Sequence, residues 1–302
     1  MELEWPLILF TFFVCLASGI LLGQGLMTVL GKGKKMQLAS LVSSLVALAI
    51  GGIAVFFHLQ HWERIFNGFG HITSGITLEF IGCVVFFVVL VVYFLMMRRA
   101  EDGMAPKWCG VLAIIMGIAM PAVTGDSYLM QSLPTWNTFL LPLYYVVNAV
   151  FFGMLAIMVI AVVTKTDDVV ERAGLIGAIA GVASLVLVLA YALYIGAQGA
   201  QYSDITYYFD PTLPDSHMID VQGDAIGTLL AGANAPLFWI GAVIVGIIVP
   251  AALAYLAKQA AAKGTNQQVL PLAGAGLVCA LVGGICWRML LYMAAMHVFA
   301  LY

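Results

Sequence analysis

Eight long apolar stretches run along the chain, at Trp5–Leu30, Met36–Phe57, Thr73–Met97, Trp108–Val123, Thr138–Val163, Ala173–Ile195, Pro236–Leu256 and Val269–Ala300. Most are continuously apolar rather than alternating, which excludes transmembrane β-strands and predicts helices. A hydrocarbon core of about 30 Å takes about 20 helical residues to cross, so each stretch is long enough to span a membrane or nearly so. The predicted fold class is all-α: a polytopic membrane protein of eight transmembrane helices, read as a single integral membrane domain over residues 1–302. The leading residues carry Glu2 and Glu4 where a signal peptide carries basic residues, and the first apolar run is too long for one.

Composition agrees with the pattern. Hydrophobic residues make up 63% of the chain and charged residues 9%, well outside the range of soluble domains. The net charge of −3 and the lack of a sustained basic run leave no footprint for nucleic acid. The five cysteines lie in apolar surroundings without a C-x-x-C pair, so no disulfide framework or zinc site is readable and they are expected to be small packing residues.

The basic residues orient the spans. Lys32, Lys34, Lys35, Arg98, Arg99, Lys107, Lys165, Arg172, Lys258 and Lys263 all fall in or beside the odd-numbered connections, whereas the even-numbered ones hold only Arg64. Because Lys and Arg are retained on the cytoplasmic side, both termini and the even connections are expected to be extracytoplasmic. Trp5, Trp62, Trp108 and Trp136 sit near predicted span ends, where indoles favour the interface. The connection from Gly196 to Ala235 carries Asp204, Asp210, Asp215, Asp220 and Asp224 with no Lys or Arg. It reads either as a solvated acidic loop or as a surface that docks a partner or lids a site.

Two basic residues remain. Arg64 lies just beyond the second span and Arg288 inside the eighth. A charge inside a span costs about 2.5–3.5 kcal/mol on insertion scales and normally faces the bundle interior with a partner, and Glu79 in the third span is the expected one. Arg288, about twelve residues before the end of its run, and Glu79, about seven into its own, both fall in the outer half on a rise of about 1.5 Å per residue. His58 and Asp126 close spans on that side, so four ionisable groups are expected to converge on one layer. The blander readings are an isolated ion pair, an interfacial histidine, loop positions for Asp126, His61 and His71, and a simple turn with an interface anchor at Pro134–Thr135–Trp136.

Such a layer suits a lipid-borne quinol, which enters from the bilayer and must lose two protons near an aqueous exit. A histidine accepts or relays a proton near neutral pH, a carboxylate relays the next, and an arginine favours the ionised carboxylate. A proton-coupled secondary transporter would use the same groups, and a haem b-bearing anchor of a related respiratory oxidoreductase is a third reading. Pro250 is a helix break of the transporter kind without a counterpart in the first half, and intramembrane histidine pairs for haem are lacking.

The opening Glu4-Trp5-Pro6-Leu7-Ile8-Leu9-Phe10-Thr11, the block His58-Leu59 with Arg64-Ile65-Phe66-Asn67 and Leu78-Glu79-Phe80-Ile81, the turn Pro134-Thr135-Trp136, and Arg288-Met289-Leu290-Leu291-Tyr292 with His297 resemble the membrane anchor subunits of dimethyl sulfoxide reductase. The similarity runs through most of the chain in order and spacing, and departs from the family pattern at Gln60 and Trp62. The resemblance implies an anchor in the cytoplasmic membrane with no haem or other cofactor of its own. It would bind and oxidise menaquinol near the outer face and pass electrons to a four-cluster iron–sulfur subunit and then to a molybdopterin catalytic subunit, both extracytoplasmic. It also implies that His58 is the central quinol-site residue, with Arg64, Glu79 and Arg288 as further quinol-binding positions.

Overall fold

The computed structural model describes residues 3–58, 70–198 and 229–295. Eight helices are long and apolar enough to cross a membrane: α1 (Trp5–Val29), α2 (Gln37–Phe56, entered through a 3₁₀ turn at Lys34–Met36), α3 (Gly75–Arg99), α4 (Lys107–Asp126), α5 (Leu140–Val163), α6 (Asp167–Gln198), α7 (Leu237–Ala262) and α8 (Asn266–Met293). In lipid every backbone N–H and C=O must be satisfied within the segment, which leaves the helix as the form available to such continuous apolar runs. The protein is a multi-pass membrane protein.

The most buried helix is α1, which packs against α2, α4, α5 and α8. Small residues let it do so. A Cβ added at Gly19 would overlap the carbonyl of Ala149 on α5, and one at Gly153 would overlap the backbone of Gly19. On the α4 side, a Cβ at Gly25 would lie 2.6 Å from Gly110 O and one at Gly110 would lie 2.7 Å from Gly25 O. Lipid tails are as apolar as the helix faces, so close backbone packing of this kind, rather than water exclusion, drives association within the bilayer. The peripheral helices α2 and α3 leave Val46, Ile53, Val84 and Phe87 half exposed, as a lipid-facing surface requires.

Three boundaries differ from the sequence expectation. Helix α6 begins at Asp167 instead of Ala173 and ends at Gln198, with Asp167 and Asp168 in its first turn, where negative charge complements the helix dipole. The first twelve residues of α7, Leu237–Ile248, are π-helical. They end just ahead of Pro250, which has no N–H to continue the ladder, and the Val249 N–H instead reaches Ile244 O. Helix α8 closes at Met293, which puts Arg288 only five residues from its end.

Hydrogen bonds between connections define the two ends of the bundle. At one end Lys32 Nζ donates to Asp168 O at 2.8 Å, and the Gln37 amide donates to Gly103 O at 3.1 Å while its carbonyl accepts the Ala105 N–H at 2.9 Å. The ten basic residues that follow the odd-numbered rule sit at this end. The opposite end holds the residues of the candidate site.

Candidate functional site

Helices α1 and α2 are antiparallel neighbours, which sets the residue before the first beside the turn after the second. Phe57 and His58 extend α2 by a turn, their N–H groups bonding to Ala54 O and Val55 O. The His58 Nδ1 lies 3.2 Å from Glu4 Oε2, with 40% of the imidazole and 55% of the carboxylate exposed. When Nδ1 carries a proton and donates it to this carboxylate, Nε2 is left as a free acceptor on a ring of fixed orientation. The blander reading of His58 as an interfacial histidine satisfied by water and the helix C-terminus leaves out this partner.

Glu79 stands one turn into α3, half buried, and accepts the Ser127 Oγ–H at 2.7 Å. Ser127 follows the last residue of α4. The two helix ends meet so closely that a Cβ on Gly75 would lie 2.8 Å from Ser127 Cβ, so glycine at the first position of α3 is what brings Glu79 to its donor. Asp126 next to it is exposed but is the last residue of α4, whereas His71, also exposed, lies in the approach to α3 as a connection residue.

Arg288 is fully buried, and the expected pairing with Glu79 does not form. Its Nε donates to Thr11 Oγ1 at 3.3 Å, Nη1 to Gly284 O at 3.2 Å and Tyr144 Oη at 3.5 Å, and Nη2 to Asn148 Oδ1 at 3.1 Å and Thr11 O at 3.3 Å. Every one of the five guanidinium N–H groups thus has an acceptor. Four aromatic rings surround the cation, with Tyr145 and Phe12 nearest at 5.4 and 5.5 Å, an arrangement worth about 2 kcal/mol per ring when desolvated. Neutral carbonyls, hydroxyls and π-faces have replaced the carboxylate. The expected single layer of four charges is accordingly three separate arrangements at one end: the His58–Glu4 pair at the rim, Glu79 between α3 and α4, and Arg288 in the interior between α1, α5 and α8.

The α4–α5 connection ties these together. Trp136 is buried, not an interface anchor, and its Nε1–H donates to Leu291 O at 2.9 Å while Thr135 Oγ1–H donates to Ala294 O at 2.7 Å. Both satisfy carbonyls at the C-terminus of α8 that have no helical donor. Tyr194 on α6 donates to Pro134 O at 2.9 Å. The rings of Tyr128, Trp136 and Tyr292 pack edge to face with centroids 5.1–6.2 Å apart. Burial pushes the Tyr128 phenol well above its ordinary pKa, a shift that the nearby Tyr292 and Glu79 reinforce, so it stays a neutral group.

Sequence reasoning missed Glu4, Thr11, Tyr144 and Asn148 as partners. Asn148 is the one amide in an otherwise apolar span, a signal that could have found it. Arg64, Gln60, Trp62, His61, His297 and most of the acidic connection, residues 199–228, fall outside the described residues. Among the described residues no three His, Cys, Asp or Glu side chains gather as a metal site would require.

Among the described residues the chain is a polytopic membrane protein of eight spans, with ten basic residues collected at one end and the His58–Glu4 pair at the rim of the other. The profile of the DMSO reductase anchor subunit (DmsC) matches residues 1–208, and the chain belongs to that family. It is therefore a membrane anchor subunit, and its family associates with the catalytic and iron–sulfur subunits of DMSO reductase. No curated protein matches the chain significantly.

Proposed function

We propose that this anchor oxidises menaquinol at the His58 rim and passes the electrons to an iron–sulfur subunit docked on the same end, which feeds a molybdopterin catalytic subunit. The observation that carries the reading is the 3.2 Å contact between His58 Nδ1 and Glu4 Oε2. With Nδ1–H held by the carboxylate, Nε2 takes the proton of one quinol hydroxyl and Glu4 offsets the positive charge that results, while the proton of the second hydroxyl leaves by way of the Glu79 carboxylate as the two electrons pass to the iron–sulfur subunit. Both side chains remain open to water, so the proton has an exit. Arg64 and Glu79 complete the proposed headgroup site. Arg288 is assigned a positioning role, because its donors are all occupied inside the bundle and it holds Thr11 and Phe12, about two turns along the chain from Glu4.

The end carrying the ten basic residues is taken as cytoplasmic, so protons are released outside the cytoplasmic membrane, and the partner subunits, with four clusters on the iron–sulfur chain, dock there. No haem is part of the proposal, and a reduced-minus-oxidised spectrum of the purified complex is expected to be free of a b-type α band.

The test replaces His58 with Arg, which keeps a polar rim side chain but cannot accept a proton at neutral pH. The variant complex should assemble, lose quinol-dependent reduction, and still work with a soluble artificial donor that feeds the partner subunits directly. Quinol oxidation at the wild-type rate in an assembled His58→Arg complex would remove His58 from the site.

A further inference from the structure

At the end opposite His58, the last turn of α3, the α3–α4 connection and the end of α1 enclose a cleft of ≈ 550 Å³. Arg99 and Lys107 line it together with Met96, Asp102, Thr28 and Gly31. Both cations are exposed, and the ion pair His58–Glu4 lies at the other end of the bundle. The acid within the cleft, Asp102, has Oδ1 turned onto the Met104 N–H at 2.9 Å and serves the loop. Backbone donors add to the positive character. Helix α4 begins at Lys107, and the N–H groups of Cys109 and Gly110 fold back onto Pro106 O, whereas those of Lys107 and Trp108 have no preceding helical carbonyl to reach.

The position of the cleft selects the ligand. It lies where two spans end, beside Trp108, which is 52% exposed at the depth where indoles settle in a membrane interface. Immediately inward, α3 presents the exposed Val91 and Leu95, and α4 presents the exposed Val111 and Ile115. A molecule that fills the cleft therefore meets cations and N–H donors at its head and apolar helix faces along its body. The same end carries eight further basic residues, which favour a negatively charged leaflet around it.

We propose that this cleft is a binding site for an anionic phospholipid, with the phosphate between Arg99 and Lys107 above the first turn of α4 and the acyl chains along the exposed faces of α3 and α4. The bound lipid bridges α3, α4 and the end of α1 at the membrane surface. This site is independent of the quinol rim and stands or falls separately from it.

The experiment is native mass spectrometry of the full-length chain in mild detergent, titrated with phosphatidylglycerol, with phosphatidylcholine and with inorganic phosphate. Wild-type protein should retain one phosphatidylglycerol in preference to phosphatidylcholine, and Arg99→Gln/Lys107→Gln should bind it roughly 30-fold more weakly, the factor expected for two membrane-proximal cations. Arg98→Gln removes a neighbouring charge outside the cleft and should bind as wild type. Asp102→Asn, which keeps an acceptor for the Met104 N–H, should bind more tightly. Unchanged binding in the double variant, an equal loss in Arg98→Gln, equal affinity for phosphatidylcholine, or displacement of the lipid by inorganic phosphate at matching concentration would each overturn the proposal.

Discussion

The carboxylate of Glu4 and the imidazole of His58 meet at 3.2 Å across the rim of the bundle, although fifty-odd residues and two spans separate them in the chain. Neither residue is on the helix it serves: Glu4 precedes α1 and His58 follows α2. The pair exists because the two helices are antiparallel and adjacent, and its geometry depends on both helix ends being fixed.

Glu4→Gln is expected to keep an acceptor for His58 Nδ1–H while removing the charge that offsets the protonated ring. For an exposed pair the coupling is small, so quinol-dependent kcat/KM should fall about 2–5-fold, with assembly unaffected. An unchanged kcat/KM in an assembled Glu4→Gln complex would show that the carboxylate does not act on the ring.

Arg288→Leu strips the donors from Asn148 Oδ1 and from the Thr11 and Tyr144 hydroxyls, and a buried acceptor left unpaired costs about 1–3 kcal/mol; Thr11 O and Gly284 O keep the donors of their own helices. The variant should fail to accumulate or unfold well below wild type in detergent. Arg288→Lys should rescue little, since an ammonium cannot fill five acceptors in a planar fork. Because Arg288 and Glu79 do not meet, the thermal-stability losses of Glu79→Gln and of a milder probe of the Arg288 cluster, Asn148→Leu, should add to within about 0.5 kcal/mol. Strong non-additivity would reinstate a link between the two charges.

Gly153→Val places a branched side chain against the backbone of Gly19 and should separate α1 from α5, with a large drop in the melting temperature. Gly52→Ala is the matched control. Nothing lies within 4 Å of a Cβ at that position, so the substitution should be neutral or slightly stabilising. A tolerated Gly153→Val would mean that the α1–α5 seat is less close than described.

Reporter fusions read the orientation. A fusion after Tyr302 should report an extracytoplasmic location and one in the connection at Lys165 a cytoplasmic one, from the collection of basic residues at the latter end. The reverse pattern would place the His58 rim on the cytoplasmic side and invert the proposed direction of proton release.

How far the sequence carries the fold is clear from particular elements. The eight spans are legible because a run of apolar side chains about 20 residues long has one stable form in lipid. The apolar pattern puts the start of α6 at Ala173, later than Asp167 where it begins, because Asp167 and Asp168 break the apolar run without breaking the helix. The π-helical opening of α7 leaves no mark in a segment that is apolar on every face, except for Pro250 beyond its end. At the site, the position of Arg288 in the interior followed from its charge, but its partners did not: a cation was expected to find a carboxylate, and it found neutral acceptors on two helices that are distant in sequence. Glu4 carried no signal as a partner, because only the packing of α1 against α2 brings it to His58.

The guanidinium of the last span draws its acceptors from the first and fifth, and this has a bearing on how the protein is made. Helix α8 is synthesised last, and its cation has these acceptors within the bilayer only where α1 and α5 already stand side by side, so the seating of the final span depends on the packing of the earlier ones.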